Sequence, residues 1–208
     1  MSMKRKYHHG ALKEALIEAA LELLAEGGPA ALSLSEAAKR VGVTAAAPYR
    51  HFASRDELLN EVARRGFLSF AAALEKGWDE GRPDAATAMW RMSAAYLAFA
   101  RAEPGLYAAM FGSAASLAAE ASADAADHAL EILWRSVVAF LQLRGVSAQG
   151  ARKLALQVWA LAHGVAMLAV SGHLDAAKGL DPDPVLDTAI RNLMEAAVRR
   201  AESAAGPR

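Results

Sequence analysis

The stretch Ser33-Leu-Ser-Glu-Ala-Ala-Lys-Arg-Val-Gly-Val-Thr-Ala-Ala-Ala-Pro-Tyr-Arg-His-Phe52 carries two short segments separated by a glycine turn. Ser33 and Glu36 stand at the Ser-x-x-Glu spacing of a capping box, in which each side chain can satisfy the other residue's free backbone N–H. A helix is therefore expected to begin at Leu34. Ala37, Ala38 and Val41 recur on one of its faces, and Gly42 follows where a left-handed residue ends a helix without a Cβ penalty. The turn is Gly42-Val43-Thr44, and Thr44 can cap a second helix expected from Ala45 to about Phe52. Pro48 falls at the fourth position of that segment, where its missing N–H costs less than it would deeper in a helix, and the reading keeps the segment helical. Two short helices joined by a three-residue turn, with polar and basic groups on the second, make a helix-turn-helix suited to a DNA groove.

Upstream, Leu12, Leu16, Ala19 and Leu23 repeat at helical spacing and predict a first helix from about Gly10 until Gly27-Gly28-Pro29 stops it. Downstream, Ser54-x-x-Glu57 is a second capping box and opens a long helix containing Leu58, Leu59, Val62, Phe67, Phe70 and Leu74. This helix is expected to join two halves of the molecule. Breaks at Gly81-Arg-Pro83, at Glu103-Pro-Gly105, near Gly112, at Arg144-Gly145 and from Gly172 to Pro184 divide the rest into about five helices. Asp183 before Pro184 reads as a cap with proline at the first helical position, so the last helix is expected from Pro184 to about Ala201.

Alanine supplies a quarter of the 208 residues and strand-type alternation is missing, so the fold class is all-α with about nine helices. There is no cysteine, which excludes a disulfide framework and Cys-based metal sites. No apolar signal segment follows the basic start, and the cytoplasm is the expected compartment.

The chain balances 23 Lys and Arg against 23 Asp and Glu, which argues against a protein that coats nucleic acid. Distribution matters more than the sum. Glu14, Glu18, Glu22 and Glu26 form an i,i+4 ridge on the first helix, expected to face away from DNA. Basic groups gather at Lys4-Arg5-Lys6, at Lys39-Arg40 and at Arg50-His51 with Arg55, a patch of the kind that contacts phosphates.

From Leu154 to Leu174 no residue is charged, a length that raises a membrane-spanning reading. Gln157, Trp159, His163, Gly164, Ser171 and His173 within it, and its high alanine content, favour a fully buried bundle helix instead. Leu154, Val158, Leu161, Val165 and Leu168 form one seam, and Trp159, His163, Ala166 and Val170 another.

Leu34 to Leu59, with the aromatic-basic run Tyr49-Arg-His-Phe52 followed by Ser54-Arg-Asp-Glu-Leu58, resembles the signature of the tetracycline-repressor (TetR) family of bacterial transcription regulators. With the first helix the resemblance covers roughly residues 8–70. Pro104-Gly-Leu-Tyr107 with Met110-Phe111, and Trp159-x-x-x-His163-Gly164, resemble a branch of that family with a Trp-His-Gly type ligand domain. The resemblance implies a DNA-binding domain at 8–70 and a helical ligand-binding and dimerisation domain at 71–208. It implies a homodimer through the last two helices, where Leu186, Ile190, Leu193 and Ala197 can pair with a seam of the Leu154–Leu174 helix. The partners implied are double-stranded operator DNA and a small-molecule effector. A twofold dimer would hold two recognition helices about 34 Å apart.

The residues expected at DNA are Lys4, Arg5, Lys6, Ser33, Thr44, Ala45, Ala46, Tyr49, Arg50, His51 and Arg55. Tyr49 and His51 resemble phosphate-contacting counterparts, with Thr44 acting from the cap, and Tyr49 merely packing is the bland reading. Arg50 suits a guanine edge or a phosphate. Ala45 and Ala46 stand where family members read bases, and can touch only a thymine methyl or allow close approach. Specificity through DNA shape then gains weight. Lys4, Arg5 and Lys6 suit the backbone or the minor groove, or a solvated terminus equally.

The residues expected at the ligand are Tyr107, Met110, Phe111, Trp159, His163 and Met167, although such a stripe is ordinarily core. His128 and Asp124 at i,i+4 lack a third group, so neither a metal nor a cofactor is expected. An enzyme using His163 as a base finds no Ser-His-Asp set, phosphate loop or metal constellation to join. An adaptor using the helix-turn-helix for protein contact is opposed by the basic groups around Tyr49.

Overall fold

The computed structural model describes residues 9–112 and 120–205. Eight α-helices stand among the described residues, with no strand: α1 His9–Ala31, α2 Leu34–Val41, α3 Arg55–Trp78, α4 Ala85–Ala102, α5 Pro104–Phe111, α6 Glu120–Leu143, α7 Ala151–Val170 and α8 Pro182–Ala205. Helix ends follow local chemistry. Gly27 (φ −142°, ψ 16°) and Gly28 (φ 64°, ψ −166°) leave helical geometry, so α1 is broken there and only a short turn resumes over Pro29–Ala31. Ser33 caps α2 by accepting the Glu36 N–H at 3.1 Å. Gly42 ends α2 in the left-handed region (φ 78°), and the Val43 N–H closes onto the Ala38 carbonyl at 2.9 Å. At α3, Ser54 Oγ accepts the Glu57 N–H at 3.1 Å, while the Glu57 carboxylate reaches back to the Ala53 N–H at 2.5 Å.

Two expected boundaries move. The second helix of the helix-turn-helix does not form as an α-helix. Only Pro48–Arg50 coils, as a single 3₁₀ turn. Pro48 has no N–H to give the Thr44 carbonyl, which takes the Ala47 N–H instead at 2.9 Å. The next bonds, Arg50 N–H to the Ala47 carbonyl (3.3 Å) and His51 N–H to the Pro48 carbonyl (2.9 Å), keep the tighter i→i+3 spacing. The last helix starts two residues early. In Asp181-Pro-Asp-Pro184 the start signal is duplicated, and Asp181 accepts the Asp183 N–H at 3.0 Å, leaving Pro182 as the first residue of α8.

The chain divides into two compact units, one through Phe67 together with Glu103–Asp124, the other Leu68–Ala102 with Ala125–Arg208. In the first, Leu16, Ile17, Ala20, Leu24, Leu34, Ala37, Phe52, Leu58, Leu59 and Val62 are buried. A fully buried side chain of leucine or phenylalanine size contributes about 1.5–3 kcal/mol. α5 packs on α1 so closely that a Cβ on Gly105 would lie 2.4 Å from the Leu21 carbonyl oxygen. In the second unit α4 packs on α7 and α8, and α7 packs on α8. The buried row of α8 is Leu186, Ile190, Met194 and Val198, a strict four-residue repeat that leaves Leu193 and Ala197 half-buried beside it.

Candidate nucleic-acid interface

The 3₁₀ turn presents its side chains outward because its backbone is held from within. Phe52 is 2% exposed, Pro48 is buried, and the Pro48 carbonyl accepts both the His51 and Phe52 N–H groups. Thr44, Ala45, Ala46, Tyr49 and Arg50 are all exposed, Tyr49 at 62%, and His51 is half-buried. These six expected residues therefore share one short segment. Lys39, on the last turn of α2, is 80% exposed at its side chain, with an ion pair to Glu36 at 3.7 Å. Lys4, Arg5 and Lys6 lie outside the described residues.

Arg40 and Arg55, the other described cations of the expected patch, are engaged by groups of the same chain. Arg40 forks onto Glu26 of α1 (2.8 and 2.7 Å) and onto Glu22 (3.2 Å). This bidentate pairing lowers the Glu26 carboxyl below its usual range and raises Arg40. The Arg55 guanidinium donates to the Leu32 carbonyl (2.9 Å), the Pro29 carbonyl (2.5 Å) and Asp56 (2.9 Å). Ser33 Oγ serves the α2 cap and lies 3.0 Å from Ser35 Oγ. A third network ties α3 to α1: Arg65 bridges Glu14 (2.5 and 2.8 Å) and Glu61 (2.9 Å), with Arg64 also on Glu61. Arg64 foremost, against the cost of burial, and then Arg65, push the Glu61 carboxyl down to about 2. Sequence spacing shows Glu14, Glu22 and Glu26 as a ridge, but not that Arg40 and Arg65 answer it from other helices.

The six residues expected at a ligand fall into two groups. Tyr107 and Met110 are buried in the first unit, where the Phe111 ring meets Tyr107 at 4.9 Å and Phe67 at 5.5 Å. Trp159, His163 and Met167 lie on α7 in the second unit, the first two half-buried and Met167 46% exposed. The Tyr96 hydroxyl is 3.5 Å from His163 Nδ1, and Tyr96 packs edge-on against Phe70 (4.8 Å), which also meets Phe99 (5.2 Å). Tyr96, Phe70 and Phe99 were absent from the sequence expectation, since no local spacing joins residues from three helices. Burial holds the His163 imidazole below its ordinary range. Clefts of 460, 310 and 300 Å³ in the same unit are lined by other residues. Two of those clefts are edged by ion-paired or stacked arginines.

Within the protomer, α7 is covered on one side only. Leu154, Ala155, Val158, Ala162, Val165 and Ala166 are buried, whereas Leu156, Ala160, Gly164, Met167 and Leu168 form an exposed row. By length and hydropathy α7 is long and apolar enough to cross a membrane. Its inner row, however, is the core of the second unit. No trio of His, Asp or Glu able to hold a metal occurs among the described residues.

Residues 16–62 match a model of bacterial regulatory proteins of the tetR family, and residues 89–193, half of the chain, match a model of the tetracyclin repressor-like C-terminal domain. The chain belongs to the TetR family. An uncharacterized HTH-type transcriptional regulator of Haemophilus influenzae is 40% identical to this TetR-family chain over 72 residues, which are 35% of this chain and 38% of that relative. The chain thus spans under two thirds of the curated relative it matches. A protein of unknown function from Rhodococcus sp. RHA1 is 31% identical over 93% of this chain and 98% of its own, with a TM-score of 0.77. The TetR family transcriptional regulator PfmR from Thermus thermophilus shares the fold at 19% identity, covering 86% of this chain and 97% of that one (TM-score 0.69).

Proposed function

We propose that this TetR-family helix-turn-helix regulator binds operator DNA as a homodimer, represses transcription from it, and is released by a small hydrophobic effector. The observation that carries the reading is the segment Thr44–His51. It is held from behind by Pro48 and Phe52 and turns Thr44, Ala45, Ala46, Tyr49 and Arg50 to the outside. Tyr49, His51 and Thr44 suit phosphate oxygens, and Ala45 and Ala46 suit thymine methyls or close approach to the groove floor. Arg50 and Lys39 supply the positive charge, with Ser33 at the mouth of α2. Lys4, Arg5 and Lys6, outside the described residues, suit the DNA backbone or the minor groove by charge, or a solvated terminus equally.

Dimerisation is assigned to α7 and α8, and the exposed row Leu156–Leu168 supports it. An apolar stripe of that length is unusual on a lone soluble protomer. Four such helices make the interface, and the protein acts in the cytoplasm, where its operator is. The effector site is placed at Trp159 and His163 with Tyr96, Phe70 and Phe99, where a neutral imidazole can take or give one hydrogen bond in an otherwise apolar nest. Tyr107, Met110 and Phe111, also expected at a ligand, form a separate cluster with Phe67 in the first unit. Release is a change of population: the effector binds better to a dimer whose recognition turns are wrongly spaced, and by linkage the operator weakens effector binding equally. A useful switch needs a coupling of about 1–3 kcal/mol.

Selection of bound fragments from a random DNA pool tests the reading. A palindrome with half-sites one helical turn apart, whose affinity falls steeply with salt, is the expected result. A folded dimer that enriches nothing overturns it and favours the adaptor or enzyme alternatives.

A further inference from the structure

We propose that Arg55 is a positioning residue for operator binding, one that locks the entrance of α2 to the exit of the recognition turn and makes no phosphate contact itself. The proposal rests on the operator-binding reading above. Its basis is geometric. Gly27 and Gly28 break α1, and in the short turn that follows the Pro29 carbonyl takes the Leu32 N–H at a long 3.4 Å, with room for a second donor. Arg55 Nη2 donates to the Pro29 carbonyl at 2.5 Å and Nε to the Leu32 carbonyl at 2.9 Å. Leu32 is 2% exposed and immediately precedes Ser33, the cap of α2. The third arm, Nη1, is held by Asp56 at 2.9 Å, which fixes the plane of the fork.

Arg55 is also the first residue of α3, directly after the Ala53–Ser54 link that leaves the recognition turn. One side chain therefore fastens the segment before α2 to the segment after Arg50. Arg40 makes a parallel tie from the far end of α2 to Glu22 and Glu26. With both ends of the helix-turn-helix tied to α1 and its exit loop, the exposed Tyr49 and Arg50 are presented at a fixed offset from α2. A lysine carries the same charge but is a compact point donor without the planar fork, and cannot span two carbonyls and a carboxylate together. Charge and geometry can thus be separated at one position.

The experiment uses the full chain and the operator sequence enriched from random DNA, with affinity measured across a salt series at a temperature where each variant is folded. Arg55→Lys and Arg55→Gln are each expected to weaken binding about tenfold. The slope of log affinity against log salt stays at the wild-type value in both. Arg50→Gln, the comparison variant, loses about 0.9 of that slope for each phosphate contact removed. Asp56→Asn, which keeps the guanidinium and removes one of its anchors, is the milder variant and weakens binding a few-fold without changing the slope. Hydrogen exchange at the Leu34–Glu36 amides is faster in Arg55→Lys if the clip is lost.

If Arg55→Lys binds like wild type while Arg55→Gln loses both affinity and slope, Arg55 is a phosphate contact and the proposal is overturned. If the Arg55 variants melt earlier but bind with unchanged affinity when folded, the clip serves stability only, and the proposal is again overturned. A wild-type chain that enriches no DNA sinks the operator reading and this proposal together, which separates that failure from the other two.

Discussion

The recognition turn and the outer face of α7 are both exposed in the protomer, yet they are opposite in chemistry. The turn shows a hydroxyl, a phenol, a guanidinium and small methyls over seven residues, Thr44–Arg50. The α7 face shows Leu156, Ala160, Gly164, Met167 and Leu168, with no charge between Leu154 and Leu174. A surface of the first kind tolerates water and gains from counterion release. One of the second kind gains from leaving water, and salt barely affects it. On the proposed reading the first surface meets a polyanion and the second a copy of the chain, so changes at the turn leave dimerisation intact while changes at α7 reach DNA only through the dimer.

The largest effect is expected at the α7 face. Leu156→Glu with Leu168→Glu should convert a dimer to monomers by light scattering and lower operator affinity by about a hundredfold or more, through lost bivalency. A dimer that survives both charges would remove α7 from the interface. Next, Tyr49→Ala with Arg50→Ala should cost at least about tenfold in operator affinity. Because neither side chain is buried, thermal stability should stay within about 0.5 kcal/mol, and dimerisation should not change. Weakened dimerisation in this variant would mean the two surfaces are not independent.

A subtler probe is Gly164. Within the protomer a Cβ there meets nothing within 4 Å, and glycine inside a helix is unfavourable by about 0.8–1.0 kcal/mol relative to alanine. Gly164→Leu should therefore stabilise an isolated protomer, yet weaken the dimer severalfold if a partner helix approaches closely at this point. Tighter dimerisation by analytical ultracentrifugation would show that no close approach occurs.

The smallest effect concerns His163, at the flank between the buried and exposed rows of α7. Its folded pKa is lowered, so the neutral imidazole is favoured on folding. The stability this contributes is complete above the unfolded histidine value of about 6.5 and is lost as pH falls through that value toward the folded one. His163→Phe should flatten the acid side of the melting-temperature profile in that window. An unchanged profile would mean that other groups set the acid limb.

Most helix ends set by a local side chain or glycine were legible, the start of α8 excepted, where Asp181-Pro-Asp-Pro184 offers the same signal twice. Ser33, Gly42, Ser54 and the Gly27-Gly28 break act within four residues, so spacing alone locates them. The same locality explains the failure at residues 45–52, where Pro48 outweighs an alanine-rich helix signal because the missing donor falls in the first turn, and too few bonds remain to restore an α-helix. The arginines engaged within the chain were not legible. Arg40 and Arg55 look identical to phosphate contacts in a list of basic residues, and only the folded positions of Glu22, Glu26, Pro29 and Leu32 give them other partners. The two seams of α7 were visible as periodicity, but periodicity does not say whether a seam is covered by the same chain.

The Pro48 turn also bears on the heat of association. Its φ is fixed by the proline ring, its carbonyl is doubly occupied by the His51 and Phe52 N–H groups, and Phe52 anchors it in the core. DNA therefore meets a segment whose backbone freedom was already lost when the chain folded. Calorimetry of operator binding should then show a heat-capacity change no larger than the contact surface alone requires, without the additional term that accompanies folding upon binding.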